Sequence, residues 1–106
     1  MANYDIVAGT TADLQFQLLE SGSPINLLNV TVSLLLNDRT GATVTSPGTV
    51  AVEDEDEGEV TLTPTDANVF DAAKGPYQAR WKLTAASGKI SYVPSSNRDV
   101  WNIIGT

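Results

Sequence analysis

The run Gly75-Pro76-Tyr77-Gln78-Ala79-Arg80-Trp81-Lys82-Leu83-Thr84 puts Tyr77, Ala79, Trp81 and Leu83 on one face of an extended strand. Gln78, Arg80, Lys82 and Thr84 fall on the other face. Side chains alternate with period two along a strand, so this is a half-buried strand with a heavy aromatic load on its inner side. Trp81, on that side, is expected in the core.

Working outward, the same alternation recurs. Ala12–Leu19 sets Leu14, Phe16 and Leu18 against Asp13, Gln15 and Gln17, and Glu20-Ser21-Gly22-Ser23-Pro24 is a turn cluster. Ile25–Leu28 is short and apolar. Val30–Leu36 sends Val30, Val32, Leu34 and Leu36 inward, and Asn37-Asp38-Arg39-Thr40-Gly41 turns the chain. Thr49–Val52 and Glu59–Thr63 read as a hairpin, Val50 and Val52 opposite Val60 and Leu62, with an acidic connection containing Gly58. Ala85-Ala86-Ser87-Gly88 is a further turn, Lys89–Val93 runs back, and Arg98–Ile104 closes the chain. Between hairpin and aromatic strand the pattern breaks. Thr63 can cap, Pro64 suits a first helical position and Asp66 lies three residues on, so one short helix is predicted near residues 64–74, with Gly75 as its stop.

The expectation is an all-β fold: an immunoglobulin-like antiparallel β-sandwich of about seven or eight strands in a single domain over residues 1–106. Asp66 and Tyr77 resemble, at longer spacing, the corner of immunoglobulin-like domains in which a tyrosine hydroxyl bonds back to the preceding turn. The immunoglobulin disulfide is absent, because the chain has no cysteine.

Composition narrows the functional classes. Thirteen acidic and six basic residues give a formal charge of −7. That sign repels phosphate backbones and anionic membrane surfaces, so neither nucleic acid nor membrane is an expected partner. Without cysteine there is no thiol nucleophile or thiolate metal site, and without histidine the commonest general base is missing. No run approaches the ~20 apolar residues of a spanning helix, and the N-terminus lacks the pattern of a signal peptide. The carboxylates crowd into one run or scatter through turns, Ser95 and Ser96 beside Pro94 read as loop residues, and the turn glycines Gly41 and Gly48 are isolated, not a phosphate loop. No catalytic residue and no cofactor are assigned.

The run Glu53-Asp54-Glu55-Asp56-Glu57-Gly58-Glu59 invites a calcium reading. In an EF-hand loop started at Glu53, Gly58 takes the sixth place, but Pro64 falls where a bidentate glutamate belongs. The run reads as a solvated hairpin tip whose charge discourages edge pairing, with a weak divalent cation as the alternative. The last strand, Val100-Trp101-Asn102-Ile103-Ile104, is apolar on both faces. A two-layer sandwich buries one face of each strand, so Trp101 and Ile103 are the expected interface residues, Trp101 as anchor.

The order of features resembles one family. "AGTTADLQFQLLESGSPINL" is followed by "VTVSLLL" and a turn, then by an acidic hairpin leading into "EVTLTPTD" and by "GPYQARWKLT". The matching positions are Leu14, Phe16, Leu18, Gly22, Pro24, Ile25, Leu27, Val32, Leu34, Gly58, Val60, Leu62, Gly75, Tyr77, Ala79 and Trp81. They are similar to the N-terminal β-sandwich domain of tailed-phage baseplate upper proteins and to related domains of phage tail, fibre and neck proteins. The resemblance implies a non-enzymatic virion component, made in the bacterial host cytoplasm, that docks to other phage structural proteins and forms a homo-oligomer in the virion. Family members usually continue into a helical stalk, whereas this sequence stops at Thr106. The start at Met1-Ala2 and the end at Gly105-Thr106 favour a small standalone connector, completion or decoration protein over a domain cut from a longer one. Two other functions are open at this point: a carbohydrate-binding or adhesive module using Trp81, Trp101 or Tyr92 in an exposed row, and a calcium-dependent accessory domain.

Overall fold

A computed structural model describes residues 3–20, 22–93 and 98–104. The readings of Ser95 and Ser96 and of the two chain ends lie outside these residues. The strands are β1 (Asn3–Val7), β2 (Leu14–Gln17), β3 (Leu19–Glu20), β4 (Ser23–Pro24), β5 (Val30–Asn37), β6 (Gly48–Asp54), β7 (Glu59–Pro64), β8 (Tyr77–Ala85), β9 (Ile90–Val93) and β10 (Asp99–Ile104). The chain is all-β, and its two main sheets pack face to face as a sandwich.

One sheet has the order β1-β10-β8-β5, with β9 also pairing β8; the other has the order β2-β7-β6. Along the edge of β8, β10 occupies Tyr77–Ala79 and β9 occupies Trp81–Thr84, both antiparallel to it. They therefore act together as one strand in two pieces. Lettering β2, β5, β6, β7, β8 and the β9/β10 pair as B to G in chain order gives sheets B-E-D and C-F-G. That is the immunoglobulin arrangement. Tyr77 opens β8, the F strand, and its hydroxyl accepts a hydrogen bond from the Asp71 backbone N–H at 3.2 Å. The tyrosine corner anticipated from Asp66 and Tyr77 is thus present, closed through Asp71.

The alternation read from the sequence sets the core. Tyr77, Ala79, Trp81 and Leu83 of β8 are all buried, and so are Phe16 of β2 and Val60 and Leu62 of β7. Val50 pairs with Leu62 and Val52 with Val60, as the hairpin reading required. Val32 and Leu34 also point inward but are only half-buried, because β5 is the outer strand of its sheet. Where an immunoglobulin domain bridges strands B and F with a disulfide, Phe16 of β2 lies 5.5 Å, ring centre to ring centre, from Trp81 of β8. It also stacks on Trp101 of β10 at 4.8 Å. Aromatic contact between the sheets does the joining here.

Two expectations are corrected. No helix forms over residues 64–74; none occurs among the described residues. Pro64 completes β7 opposite Gly48. The Thr63 hydroxyl, the expected cap, instead donates to Asp13 Oδ1 at 2.6 Å. Asp66 and Asp71 each accept a backbone N–H two residues on, from Asn68 and Ala73, and so close separate turns. Short polar side chains that satisfy nearby backbone groups compete with helix in this way. The second correction is β1, a strand that the alternation along the chain does not predict. It pairs in parallel with β10, Tyr4 beside Trp101 and Ile6 beside Ile103, so the sandwich is not wholly antiparallel.

Candidate functional site

Trp101 and Ile103 both face inward. Trp101 is 0 % exposed, enclosed by Tyr4, Phe16, Phe70 and Trp81. A ring enclosed by its own chain has no surface to offer a partner, so its assignment as a docking anchor is overturned. The cause is the unanticipated β1 strand together with Phe70 from the β7–β8 connection, which cover a face that a bare last strand would expose. Trp101 Nε1 lies in this core without a hydrogen-bond partner among the described residues. Ile103 is half-buried against Gly75, where an added Cβ would come within 2.7 Å of Ile103 Cγ1. The uncovered face of β10 is the opposite one, where Ile104, 46 % exposed, stands beside Val7, 49 % exposed.

Trp81 is 1 % exposed, as the alternation implied. Neither tryptophan can therefore form a flat platform for sugar rings. Tyr92 is the partly exposed aromatic of the β8–β9 face, and the Arg80 guanidinium lies 4.7 Å from its ring centre.

The acidic hairpin is better fixed than a solvated tip need be. Gly58 O accepts from Leu18 N at 2.8 Å, Glu55 O from Leu27 N at 2.9 Å, and Glu57 O from the Gln17 side chain at 3.0 Å. Gly58 is buried with φ of +65°, and a Cβ there would sit 2.6 Å from Leu18 O. Glycine is what lets the two backbones approach so closely. The tip is thereby clamped to the β2–β5 connection while Glu53, Asp54, Glu55, Asp56, Glu57 and Glu59 remain exposed. Among the described residues no three carboxylates converge as metal ligands would.

At one end of the sandwich, the β5–β6 and β7–β8 connections enclose an open cleft of about 410 Å³, with Asp38, Asp66, Asn68 and Lys74 on its walls. Asp38 Oδ1 accepts from the Thr40 hydroxyl at 2.6 Å and from the backbone N–H groups of Thr40 and Ala42. These bonds, the Thr40 hydroxyl foremost, with Lys74 adding a smaller attraction, hold the Asp38 carboxyl below its ordinary range. All three bonds fall on Oδ1 and lie within its own turn. Elsewhere, burial and, secondarily, the Asp99 charge push the Tyr4 hydroxyl up.

The sequence reading did not single out the outer face of β5, β8 and β9. Arg80 pairs across to Leu35, and Lys82 lies between Ser33 and Tyr92. Thr84 lies between Thr31 and Ile90, whereas Lys89, opposite Ala85, falls on the alternate face. The face is cationic and aromatic and, on these three strands, carries no carboxylate. Its signal was visible in the polar alternate positions Arg80 and Lys82, but only the pairing of β9 with β8 brings Tyr92 beside them.

Compared with known proteins, the chain matches no family model and no curated protein. Among the described residues no helix is long and apolar enough to cross a membrane.

Proposed function

We propose that this chain is a non-enzymatic structural component of a tailed-phage particle, a baseplate, tail, neck or fibre connector. It docks to other virion proteins and repeats around the particle axis. What supports this reading over a carbohydrate-binding module is the enclosure of both tryptophans, Trp81 at 1 % and Trp101 at 0 % exposure. The aromatic residues hold the sheets together and, among the described residues, leave Tyr92 without a neighbouring ring on its face. The positions that carry the family resemblance fall mainly on this aromatic and aliphatic core and on close-approach turns such as Gly58 and Gly75. They support the scaffold first and the role through it. The site of action in this reading is the virion, after synthesis in the bacterial cytoplasm.

The test is an antibody against the folded protein, applied to tailed particles released by cells that carry the gene. Gold labelling at one substructure, with the protein present in the purified particles at a fixed copy number, is the expected result. Particles devoid of the protein, together with saturable binding of the free protein to a polysaccharide, would overturn the proposal in favour of the adhesive module.

A further inference from the structure

We infer that two surfaces of this chain are complementary to each other, and that copies associate head to tail. The acidic β6–β7 tip of one copy is seated on the cationic β8–β9 face of the next. The inference deepens the assembly reading above and rests on it for its biological setting.

The argument begins with charge placement. The chain has six cations against thirteen carboxylates, and two of those cations, Arg80 and Lys82, share one sheet face whose three strands carry no carboxylate. The outward positions of β5, β8 and β9 are otherwise neutral: Thr31, Ser33, Leu35, Thr84, Ile90 and Tyr92 among them. Lys82 has no ion-pair partner among the described residues. On the same face Tyr92, 37 % exposed, pairs with Lys82, and Ile90, 52 % exposed, lies two residues along β9, and both supply apolar area to be covered. The other sheet concentrates the opposite sign, with six carboxylates among the seven residues from Glu53 to Glu59.

The tip is also pre-organised. Its backbone carbonyls at Glu55, Glu57 and Gly58 are held by Leu27, Gln17 and Leu18, so little loop ordering remains to oppose contact. The net charge of −7 makes copies repel at long range. Salt near about 0.1 M confines that repulsion to about 10 Å, leaving the local match of tip to face to set the contact. Because the two surfaces are different patches, the contact is heterologous, and its repetition closes a ring or extends a filament. A ring suits a particle built around an axis.

The experiment is sedimentation of the purified protein over a concentration series, at about 0.1 M and about 0.5 M NaCl. The expected result is self-association that weakens roughly tenfold or more at the higher salt. Lys82→Glu and, separately, Asp56→Lys should each leave the melting temperature near that of the parent and abolish association. An equimolar mixture of the two variants should restore pairs, through the intact tip of the Lys82→Glu protein seated on the intact face of the Asp56→Lys protein. Lys82→Gln, which removes the charge without reversing it, replaces Lys82→Glu if the latter does not fold, and should weaken association. A parent protein that stays monomeric throughout overturns the inference, as does association that salt and both reversals leave intact, or variants that fail to complement. A monomer that still labels particles removes this contact and leaves the structural role standing. Absence from particles with salt-sensitive association does the reverse.

Discussion

Replacing Trp101 by alanine separates a core tryptophan from a docking tryptophan. The ring is wholly enclosed and lies within 6.5 Å, centre to centre, of Tyr4, Phe16, Phe70 and Trp81. Truncating a buried aromatic costs about 3–5 kcal/mol through lost transfer energy and the cavity left behind. The upper part of that range is expected, because the stacked contact with Phe16 also joins the two sheets and such pairs add about 0.5–1.5 kcal/mol. A domain of this size has a total stability of about 5–15 kcal/mol, so the variant should be close to unfolding at room temperature. With about 4–8 °C lost per kcal/mol, melting should fall by at least ~15 °C. Trp101→Phe keeps a ring and removes the unpartnered Nε1–H, whose burial itself costs about 1–3 kcal/mol, so its loss should be much smaller. The assay is urea unfolding followed by near-ultraviolet circular dichroism, with sedimentation to report association. A Trp101→Ala protein that melts within ~3 °C of the parent but no longer associates would refute the core assignment and return Trp101 to an interface.

Three further outcomes follow from named contacts. Gly58→Ala should cost about 2–4 kcal/mol, since alanine resists the left-handed backbone and its Cβ would press on Leu18 O; an unchanged urea midpoint would show that the hairpin tip is not clamped. Tyr77→Phe deprives the Asp71 N–H of its acceptor and should cost about 1–2 kcal/mol without loss of fold, read from the same urea titration; a neutral result would mean that the corner bond is not formed in solution. The Asp38 carboxyl is held below its ordinary value of 3.8, so the stability it contributes is complete above that value and is lost as pH falls through the lower, folded-state value. Melting between neutral pH and ~2.5 should therefore drop less for Asp38→Asn than for the parent, and parallel curves would refute the linkage.

Much of this architecture is legible in residue order. Period-two alternation is local, so Tyr77–Leu83, Val30–Leu36 and the Val50/Val52 against Val60/Leu62 hairpin declare their inner faces without reference to the rest of the chain. The burial of Trp81 follows from the same rule. Where the local signals at Thr63–Asp66 pointed to a helix, competing partners decided otherwise: Asp13 took the Thr63 hydroxyl, and Asp66 and Asp71 each closed a turn. Asp13 lies fifty positions from Thr63, so no local pattern could report that contact.

By itself, then, the sequence determined the class of fold, the inner faces of its central strands and the segregation of charge into an acidic run and a basic alternation. Tertiary structure alone decided which face of the last strand is covered. Trp101 and Ile103 and the alternate set Val100, Asn102 and Ile104 are both apolar enough to be buried, and a period-two pattern cannot choose between them. The choice came from a parallel strand drawn from the other end of the chain, which laid Tyr4 and Ile6 beside the inner set and left Ile104 and Val7 outside. The cationic β8–β9 face arose in the same way. Lys82 and Tyr92 become neighbours only through strand pairing, because hydrogen-bond register, not proximity along the chain, places side chains on a common face.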